Sequence, residues 1–579
     1  MLKRLSMAVI FMLCAIFMLF ACESDSADTS PAPEAPADKS EELIIPSEGD
    51  FDLDGISFSE ISYSRPDTSA LILSIEGLTA DIKDGLKSSI ALISKAYAVR
   101  DEYKAFRTMM TYVDLMCMID TSNSFYQAEL EFFDASLPVV EEKYGNLLSA
   151  AASSENFTIF GECFGHNTLQ KHLSLATETD KVSDLRKTEA ELCEQYIALA
   201  SDAELSKDEQ REQLLQIFIR LLEVRSTIAG ELGYANYADY VYSTGLTDYS
   251  SDKLNRVYGY IANYIVPVYN KLASRVLNSN SRHPVDPHTR EKLLNRLLSV
   301  FSELDGEIGD IYSYMLYHGL FNVEAPRNGR IPATVTAYLP AYKSPFLYAT
   351  LKNSLTDYML ICREFGYFYD YFVAGGAGRT SNELSKSAAQ SMELLALHKL
   401  KGALTSKEYK YISCMEYEQI ILTIINNSLY SKFEHIVYSI PYHEISADSI
   451  NAAAEEAILA MGISKSAYSD PEDLIVADLI LDPFSVQSYV SSSFVSLEIY
   501  FEEIQTEGKG LAIYKSLVYR SGEVSLSEFI DRVGIRSPFD EDTVKFIADS
   551  LHYVVLGSHY FEDGGGEDTA SIASTQTAF

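Results

Sequence analysis

The sequence has helical periodicity along almost all of residues 51–561, and this feature restricts the fold more than any other. In Glu212–Leu232, for example, apolar residues recur at steps of three and four, and Gly233 follows as a stop signal. No low-complexity segment interrupts the range, which is long enough for a large hydrophobic core and for more than one domain. We therefore predict that residues 51–561 form a mainly α-helical domain.

One short region departs from this periodicity. The helical pattern stops near Asn328-Gly329, and two segments rich in β-branched and aromatic residues follow, at Thr334–Leu339 and Phe346–Leu351. A turn region with two prolines separates them. We therefore predict a small antiparallel sheet directly before the helix that begins near Asp357, where it would form the wall of a cleft.

That next helix contains the sequence Arg-Glu-Phe-Gly-Tyr at 363–367, which has the frame of the zinc motif H-E-x-x-H without its histidines. Residues four apart share a face of a helix, so histidines at both ends would hold one metal ion, with the glutamate as general base. Here the two positions hold Arg363 and Tyr367, while Glu364 is kept. A guanidinium has no lone pair to donate, and a tyrosine hydroxyl ionises only far above neutral pH. The motif therefore indicates a dismantled metal site.

Several segments, in a fixed order along the chain, resemble one known family. They are Tyr63–Asp67, Glu231–Tyr242, the block from Gly319 to Tyr367, Ser385–Leu395, Asp482–Ser493 and Ile535–Asp542. Together they resemble the thimet oligopeptidase and oligoendopeptidase F family of zinc metallopeptidases. The resemblance implies a large helical fold whose two lobes, about 51–205 and about 206–561, face a deep channel that admits short peptides.

The resemblance also implies roles for individual positions near the motif. The two histidine ligands of the family fall on Arg363 and Tyr367, and its third ligand, a glutamate on the next helix, falls on Lys386. All three zinc ligands are thus replaced, so we expect no cofactor, although zinc is the family's metal. The family's general base falls on Glu364, which is retained.

Two further positions match the family. Tyr489 keeps the place of a tyrosine that contacts the tetrahedral intermediate, and Glu393 matches a second glutamate on the helix of Lys386. Arg363 and Lys386 place two positive charges where the family has its zinc ion. We predict that these cations form salt bridges with Glu364 and Glu393, which would otherwise be buried without compensation.

A segment before the motif helix is the expected peptide-binding element. In the family, a substrate peptide adds as an extra strand to the edge strand that corresponds to Pro345–Leu351. The resemblance therefore implies that Phe346, Leu347, Tyr348 and Ala349 bind peptide through main-chain hydrogen bonds, which do not depend on zinc. The alternative is a hairpin that only closes the core.

The two chain ends carry different signals. Residues 1–22 contain Lys3 and Arg4, an apolar run and then Ala21-Cys22, an order that resembles a bacterial lipoprotein signal peptide. We predict lipidation at Cys22, anchorage in a lipid bilayer, and a position at the cell surface or in the periplasm. An ordinary secretory signal and an uncleaved anchor are the alternatives. Residues 23–50 are rich in Ser, Pro, Ala and acid and predict a disordered tether, while 562–579 predict a flexible tail.

The formal net charge of −37 argues against nucleic acid as a partner, because phosphate binding needs clustered Lys and Arg. We therefore predict an inactive, surface-anchored relative of the oligoendopeptidases that binds short peptides or a protein partner. Two alternatives remain open at this point: an active or weakly active metallo-oligoendopeptidase, and a surface scaffold that binds nothing in its channel.

Overall fold

The computed structural model describes residues 42–47, 55–85, 90–175, 179–200, 205–244, 247–274, 288–376, 382–463, 471–520 and 524–560. The predicted signal peptide with Cys22 and the predicted tail at 562–579 lie outside these residues. Over the described part the chain is mainly helical, as its periodicity predicts. No helix in this part is both long enough and apolar enough to cross a membrane.

The first group of helices packs around a small core of its own, which contains Leu78, Val113, Phe133 and Leu147. Side chains cap these helices where the chain turns: Asp67, for example, accepts a hydrogen bond from the main-chain N–H of Ala70 at 3.0 Å. The helices are α1 Thr68–Lys83, α2 Ile90–Ile119, α3 Ser124–Ala152, α4 Phe157–Phe164 and α5 His166–Leu175.

The following helices contribute to a second, larger core. Their apolar faces supply buried residues such as Leu221, Tyr258, Phe301 and Tyr312. They are α6 Asp180–Ala200, α7 Lys207–Glu231, α8 Tyr237–Ser243, α9 Ser251–Tyr260, α10 Val266–Leu272, α11 Arg290–Leu304 and α12 Gly306–Tyr317, with a π-helical turn at Ile261–Ile265 before α10.

Residues 42–47 lie against this second group. The main-chain N–H of Ile44 donates to Asn295 Oδ1 at 2.8 Å, and Asn295 Nδ2 donates to the carbonyl of Glu42 at 2.9 Å. Asn295 lies on α11 and is buried. This short stretch falls within the range 23–50, for which the composition predicts a disordered tether, and it forms specific contacts with the folded chain.

The described residues contain one sheet, with strands β1 Phe321–Glu324, β2 Thr334–Leu339 and β3 Ser344–Thr350. Its order is β1-β3-β2, with β3 parallel to β1 and antiparallel to β2. The sheet is therefore mixed, and our prediction of an antiparallel sheet is wrong in this respect. The difference arises from β1, whose four residues are too few to show an alternating pattern in the sequence.

Arg330 holds the loop before β2 against the sheet. Its guanidinium is buried and donates to Thr350 Oγ1 at 2.8 Å, to Asn322 Oδ1 at 2.5 Å and to the carbonyl of Ala349 at 2.6 Å. These acceptors lie on β1 and β3, so one side chain links the loop to both strands. The loop that leads into β2 is held against the sheet in this way.

The remaining helices complete the large core. They are α13 Asp357–Ala374, α14 Asn382–Ala403, α15 Ser406–Val437, α16 Ala447–Ala460, α17 Ala477–Leu481, α18 Gln487–Gln505, α19 Lys509–Val518, α20 Leu526–Val533 and α21 Glu541–Leu556. Helix α14 packs closely against α13 on one side and α18 on the other. These three helices carry every predicted site residue except the four on β3 and the proposed lipidation site.

The backbones of α13 and α14 approach closely at Gly366. A Cβ atom built on Gly366 would lie 2.6 Å from Ala389 Cα and 2.8 Å from its carbonyl oxygen. Only a residue without a side chain fits at this contact. Farther along α13, Asp370 forms an ion pair of 2.7 Å with Arg520, which follows α19, and both side chains are 1% exposed. Arg520 also donates to Ser385 Oγ of α14 at 3.2 Å, so it links the two helices. The two helices are thus held in one register at two points.

We expect Gly366→Ala to lower the free energy of unfolding by about 1–3 kcal/mol, because the new methyl group overlaps backbone that cannot move aside easily. Gly402→Ala on α14 is the matched control: a Cβ atom there meets nothing within 4 Å. That variant should be neutral or more stable by about 0.5–1 kcal/mol, since alanine favours a helix over glycine. Urea unfolding followed by circular dichroism measures both, and equal effects of the two variants would contradict the close contact.

Candidate functional site

Glu364 is buried on α13 and faces β2. Thr336 Oγ1 lies 2.8 Å from Glu364 Oε2 and 2.9 Å from its main-chain carbonyl oxygen, so one hydroxyl ties the helix to the strand. Burial raises the pKa of Glu364 to about 7, although Thr336 and the nearby Arg363 act in the opposite direction. The retained carboxyl group is therefore close to half-protonated at neutral pH.

Arg363 pairs with Glu393 across the interface of α13 and α14. Its Nε donates to Glu393 Oε2 at 2.6 Å, with the arginine side chain 30% exposed and the glutamate side chain 2% exposed. The helical register set at Gly366 brings these two residues together. This contact is one of the salt bridges for which the sequence analysis argued, and it occupies the position of the first metal ligand in the carried-over motif.

A second buried carboxyl group, Glu416 of α15, completes this cluster. Burial raises the pKa of Glu393, and it raises the pKa of Glu416 well above its ordinary range, with the hydrogen-bonded Glu393 adding to the effect on Glu416. Protonation is thus favoured most at Glu416, while the charge on Glu393 is neutralised by its ion pair with Arg363. Glu416 is not among the predicted site residues, because nothing in its local sequence pattern marks it as a neighbour of α14.

Lys386 lies on α14 and contacts the start of α18. Its Nζ donates to Ser488 Oγ at 2.7 Å and lies 3.3 Å from the centre of the Tyr489 ring. Lys386 and Ser488 are buried and Tyr489 is half-buried. We predicted salt bridges of Arg363 and Lys386 with Glu364 and Glu393. The structure brings Lys386 together with Tyr489, the other retained position, and with Ser488, which no pattern singled out.

Tyr367 is half-buried on α13, and its ring centre lies 6.0 Å from that of Tyr371. Burial raises the pKa of its hydroxyl well above the ordinary range, so the group stays protonated. A neutral phenol, a paired guanidinium and an amine that donates to a hydroxyl do not fit a zinc ion as ligands. Among the residues that the structure describes, no three His, Cys, Asp or Glu side chains are grouped so as to hold a metal ion.

The four predicted peptide-binding residues, Phe346 to Ala349, lie on the central strand β3 and are completely buried. Both edges of β3 are paired, with β1 on one side and β2 on the other. Our prediction that this segment is an edge strand that accepts a peptide is therefore wrong. The error follows from β1, the short strand that the sequence pattern does not show. In the described residues, β2 has a strand on one side only, and it is the strand next to Glu364.

We expect Arg363→Met to lower the free energy of unfolding by about 2 kcal/mol, because Glu393 would stay buried without its cation; this is less than the full cost of breaking a buried pair, since Arg363 is 30% exposed. Glu393→Gln provides the second arm of a double-mutant cycle. The double variant should be more stable than the sum of the two losses predicts, with a coupling of about 1 kcal/mol or more. Strict additivity in urea unfolding would contradict the pair.

Glu364→Gln should remove a dependence of stability on pH. The folded pKa of about 7 lies above the ordinary value of 4.5, so between these two pH values the unfolded chain loses its proton first. The free energy of unfolding of the wild type therefore falls by up to about 3 kcal/mol as the pH rises through this window, and this effect is complete above it. The variant should be as stable as the wild type near pH 4 and more stable than the wild type at pH 8. A difference that does not vary with pH in thermal unfolding would contradict this.

Comparisons with known proteins agree with the geometry. Residues 58–173 match the family model of the peptidase M3 N-terminal domain. A PZ peptidase A solved with an inhibitor has a TM-score of 0.70 at 17% identity, and the match covers 86% of this chain and 99% of that one. A protein from Bacillus anthracis strain Ames, assigned as an oligoendopeptidase F, has a TM-score of 0.69 at 18% identity. The match covers 87% of this chain and 99% of that one. No curated protein matches the chain by sequence.

These comparisons correct one expectation. The matched domain belongs to a family of metallopeptidases that need zinc, so zinc is the cofactor that the likeness implies, and the expectation of no cofactor is wrong. That expectation was based only on the replacement of three residues, at Arg363, Tyr367 and Lys386, which lie on one pair of helices. In its N-terminal part the chain carries the peptidase M3 N-terminal domain, and over its described length it has the fold of the oligoendopeptidase F group, as its motifs predict.

Proposed function

We propose that the chain binds peptides along β2, and that the arrangement on α13 and α14 is inactive as a zinc peptidase centre. The observation that carries the second part is the pair of Arg363 and Glu393, 2.6 Å apart, at the place where the carried-over motif requires an imidazole. A guanidinium neutralises the buried carboxylate but cannot polarise a carbonyl as an open metal site does.

Peptide binding is supported by the position of β2. Thr334 to Tyr338 are half-buried, and Glu364 lies beside the strand through its contact with Thr336. A peptide that adds to the strand pairs through main-chain N–H and carbonyl groups, so this mode needs neither a metal nor a particular residue at 363 or 367. Binding of a protein partner through an extended segment would use the same groups.

The purified chain should bind members of a fluorescent peptide library, and its cleavage of a quenched library should show no component that a zinc chelator removes. Thr334→Pro and Val335→Pro form a matched pair, since successive residues of a strand direct their N–H groups to opposite sides. The variant that loses the outward N–H should weaken peptide binding about tenfold, equivalent to about 1.4 kcal/mol. The other loses a bond to β3 and should mainly lower stability.

Chelator-sensitive cleavage that zinc restores would contradict an inactive centre and favour a metallo-oligoendopeptidase. Folded protein that binds no member of the library at millimolar peptide would contradict peptide binding and leave a surface scaffold. Loss of affinity in both proline variants without a change in unfolding would place the peptide elsewhere than on the edge of β2.

We further propose that a lipid on Cys22 anchors the chain outside the cytoplasmic membrane, on the basis of the charged start, apolar run and Ala21-Cys22 in the sequence. Expressed in a bacterial host and fed an alkyne-tagged fatty acid, the wild type should take up the label, whereas Cys22→Ser should not. Equal labelling of both proteins would contradict lipidation at this position.

A further inference from the structure

The contact between Lys386 and Ser488 joins two helices through an amine and a hydroxyl. The residues are 102 positions apart in the sequence, and Lys386 Nζ lies 2.7 Å from Ser488 Oγ. Lys386 is 9% exposed and Ser488 is 6% exposed. Both side chains are therefore largely shielded from water, which strengthens electrostatic interactions between them.

The neighbours of this contact hold both side chains in place. Ser488 Oγ also lies 2.5 Å from the carbonyl oxygen of Ser485, which fixes the position of the hydroxyl. Lys386 lies over the ring of Tyr489, 3.3 Å from its centre. One turn before the lysine, Glu383 accepts hydrogen bonds from Tyr249 at 2.5 Å and Ser491 at 2.8 Å, so its carboxyl group has a fixed orientation.

Ser488 also occupies a favourable electrostatic position. It lies in the first turn of α18, which begins at Gln487 and extends over 19 residues. The positive end of the helix dipole stabilises negative charge there, whether on an alkoxide or on the oxyanion that forms after attack. A serine whose hydroxyl contacts a lysine amine is an established arrangement for nucleophilic catalysis, recognised by geometry and not by position in the chain.

We propose that Ser488 and Lys386 form a nucleophile–base dyad that cleaves peptide amide bonds without a metal. For attack, the hydroxyl turns from Ser485 toward the neutral amine of Lys386. The inference rests on the proposed function, because it takes a bound peptide as the substrate. Lys386 lies on α14, which packs directly against α13, and Glu364 of α13 contacts the proposed peptide strand β2.

Each step of this reaction balances. Ser488 Oγ forms a bond to the carbonyl carbon while its proton passes to the amine of Lys386, which gives a tetrahedral oxyanion. The C–N bond then breaks, and the ammonium of Lys386 returns the proton to the leaving amine, so that an ester on Ser488 remains. Water attacks the ester with Lys386 again as base, and the acid product leaves with the serine restored.

A fluorophosphonate tests the nucleophile directly, because attack by Ser488 forms a P–O bond and releases fluoride. The full-length chain, purified in detergent, should be labelled on the tryptic peptide that contains Ser488, as mass spectrometry shows. Ser488→Ala should abolish the label. Ser492→Ala, one turn along the same helix and also buried, should keep it. A zinc chelator should not change the rate of labelling.

Two variants of the base separate its role from folding. Lys386→Met removes the amine, and Lys386→Arg keeps a cation that cannot accept a proton; both should lower the labelling rate at least 100-fold. The amine of Lys386 is faced by Tyr489 and by Glu383, and Glu383 is hydrogen-bonded to Tyr249. The wild-type rate should rise with pH as the amine becomes neutral, whereas the rate of Lys386→Arg should vary less. Thermal unfolding is measured for each variant.

Absence of label on Ser488 in folded wild-type protein would overturn the dyad, and so would equal labelling rates in the wild type and in a folded Lys386→Arg variant. Peptide binding to Ser488→Ala, measured separately, distinguishes this failure from failure of the proposed function. Binding without labelling of the wild type removes the dyad alone. Labelling without peptide binding removes peptides as its substrate and overturns the amidase reaction.

Discussion

The crossing of α13 and α14 at Gly366 is the constraint on which the site depends. Since the backbones nearly touch there, the register of the two helices is fixed, and residues one turn away on either side meet in a set order. This order brings Arg363 to Glu393. The same packing continues to the ion pair of Asp370 with Arg520, where two charges are excluded from water together.

Charge balance explains why a cation stands at this crossing. Glu393 and Glu416 are buried side by side, and two charged carboxylates in that environment would repel each other at a high cost. Arg363 stabilises the negative charge on Glu393, while burial and the neighbouring Glu393 raise the pKa of Glu416 and so favour its neutral form. Burial raises the pKa of Glu364 to about 7, because Thr336 and the nearby Arg363, which is paired with Glu393, oppose the effect of burial only in part. Buried carboxyl groups in the site are thus stabilised in two ways, by an ion pair and by partial protonation. The two ways differ in how the free energy of unfolding depends on pH.

The sequence predicted the parts of this structure that local patterns encode. Helical periods, the motif around Glu364 and the family resemblance indicated the fold, and charge complementarity indicated the pair of Arg363 and Glu393. Long-range geometry was not accessible: β1 is too short to show a period, so β3 was taken for an edge strand. The neighbours Glu416 and Ser488 lie on helices that only tertiary packing brings to α14, and no spacing rule connects positions so far apart.

The two cations that replace metal ligands are not equivalent. The guanidinium of Arg363 stays charged at any usable pH and is paired with a carboxylate, so its role is limited to neutralising and positioning. An amine such as that of Lys386 can exchange a proton, and its contact is with a hydroxyl and an aromatic ring. The amine of Lys386 lies 2.7 Å from the hydroxyl of Ser488, which is in the first turn of a long helix. An apolar side chain could fill the same space without this contact. Chemistry that depends on proton transfer is therefore better assigned to Lys386 than to Arg363.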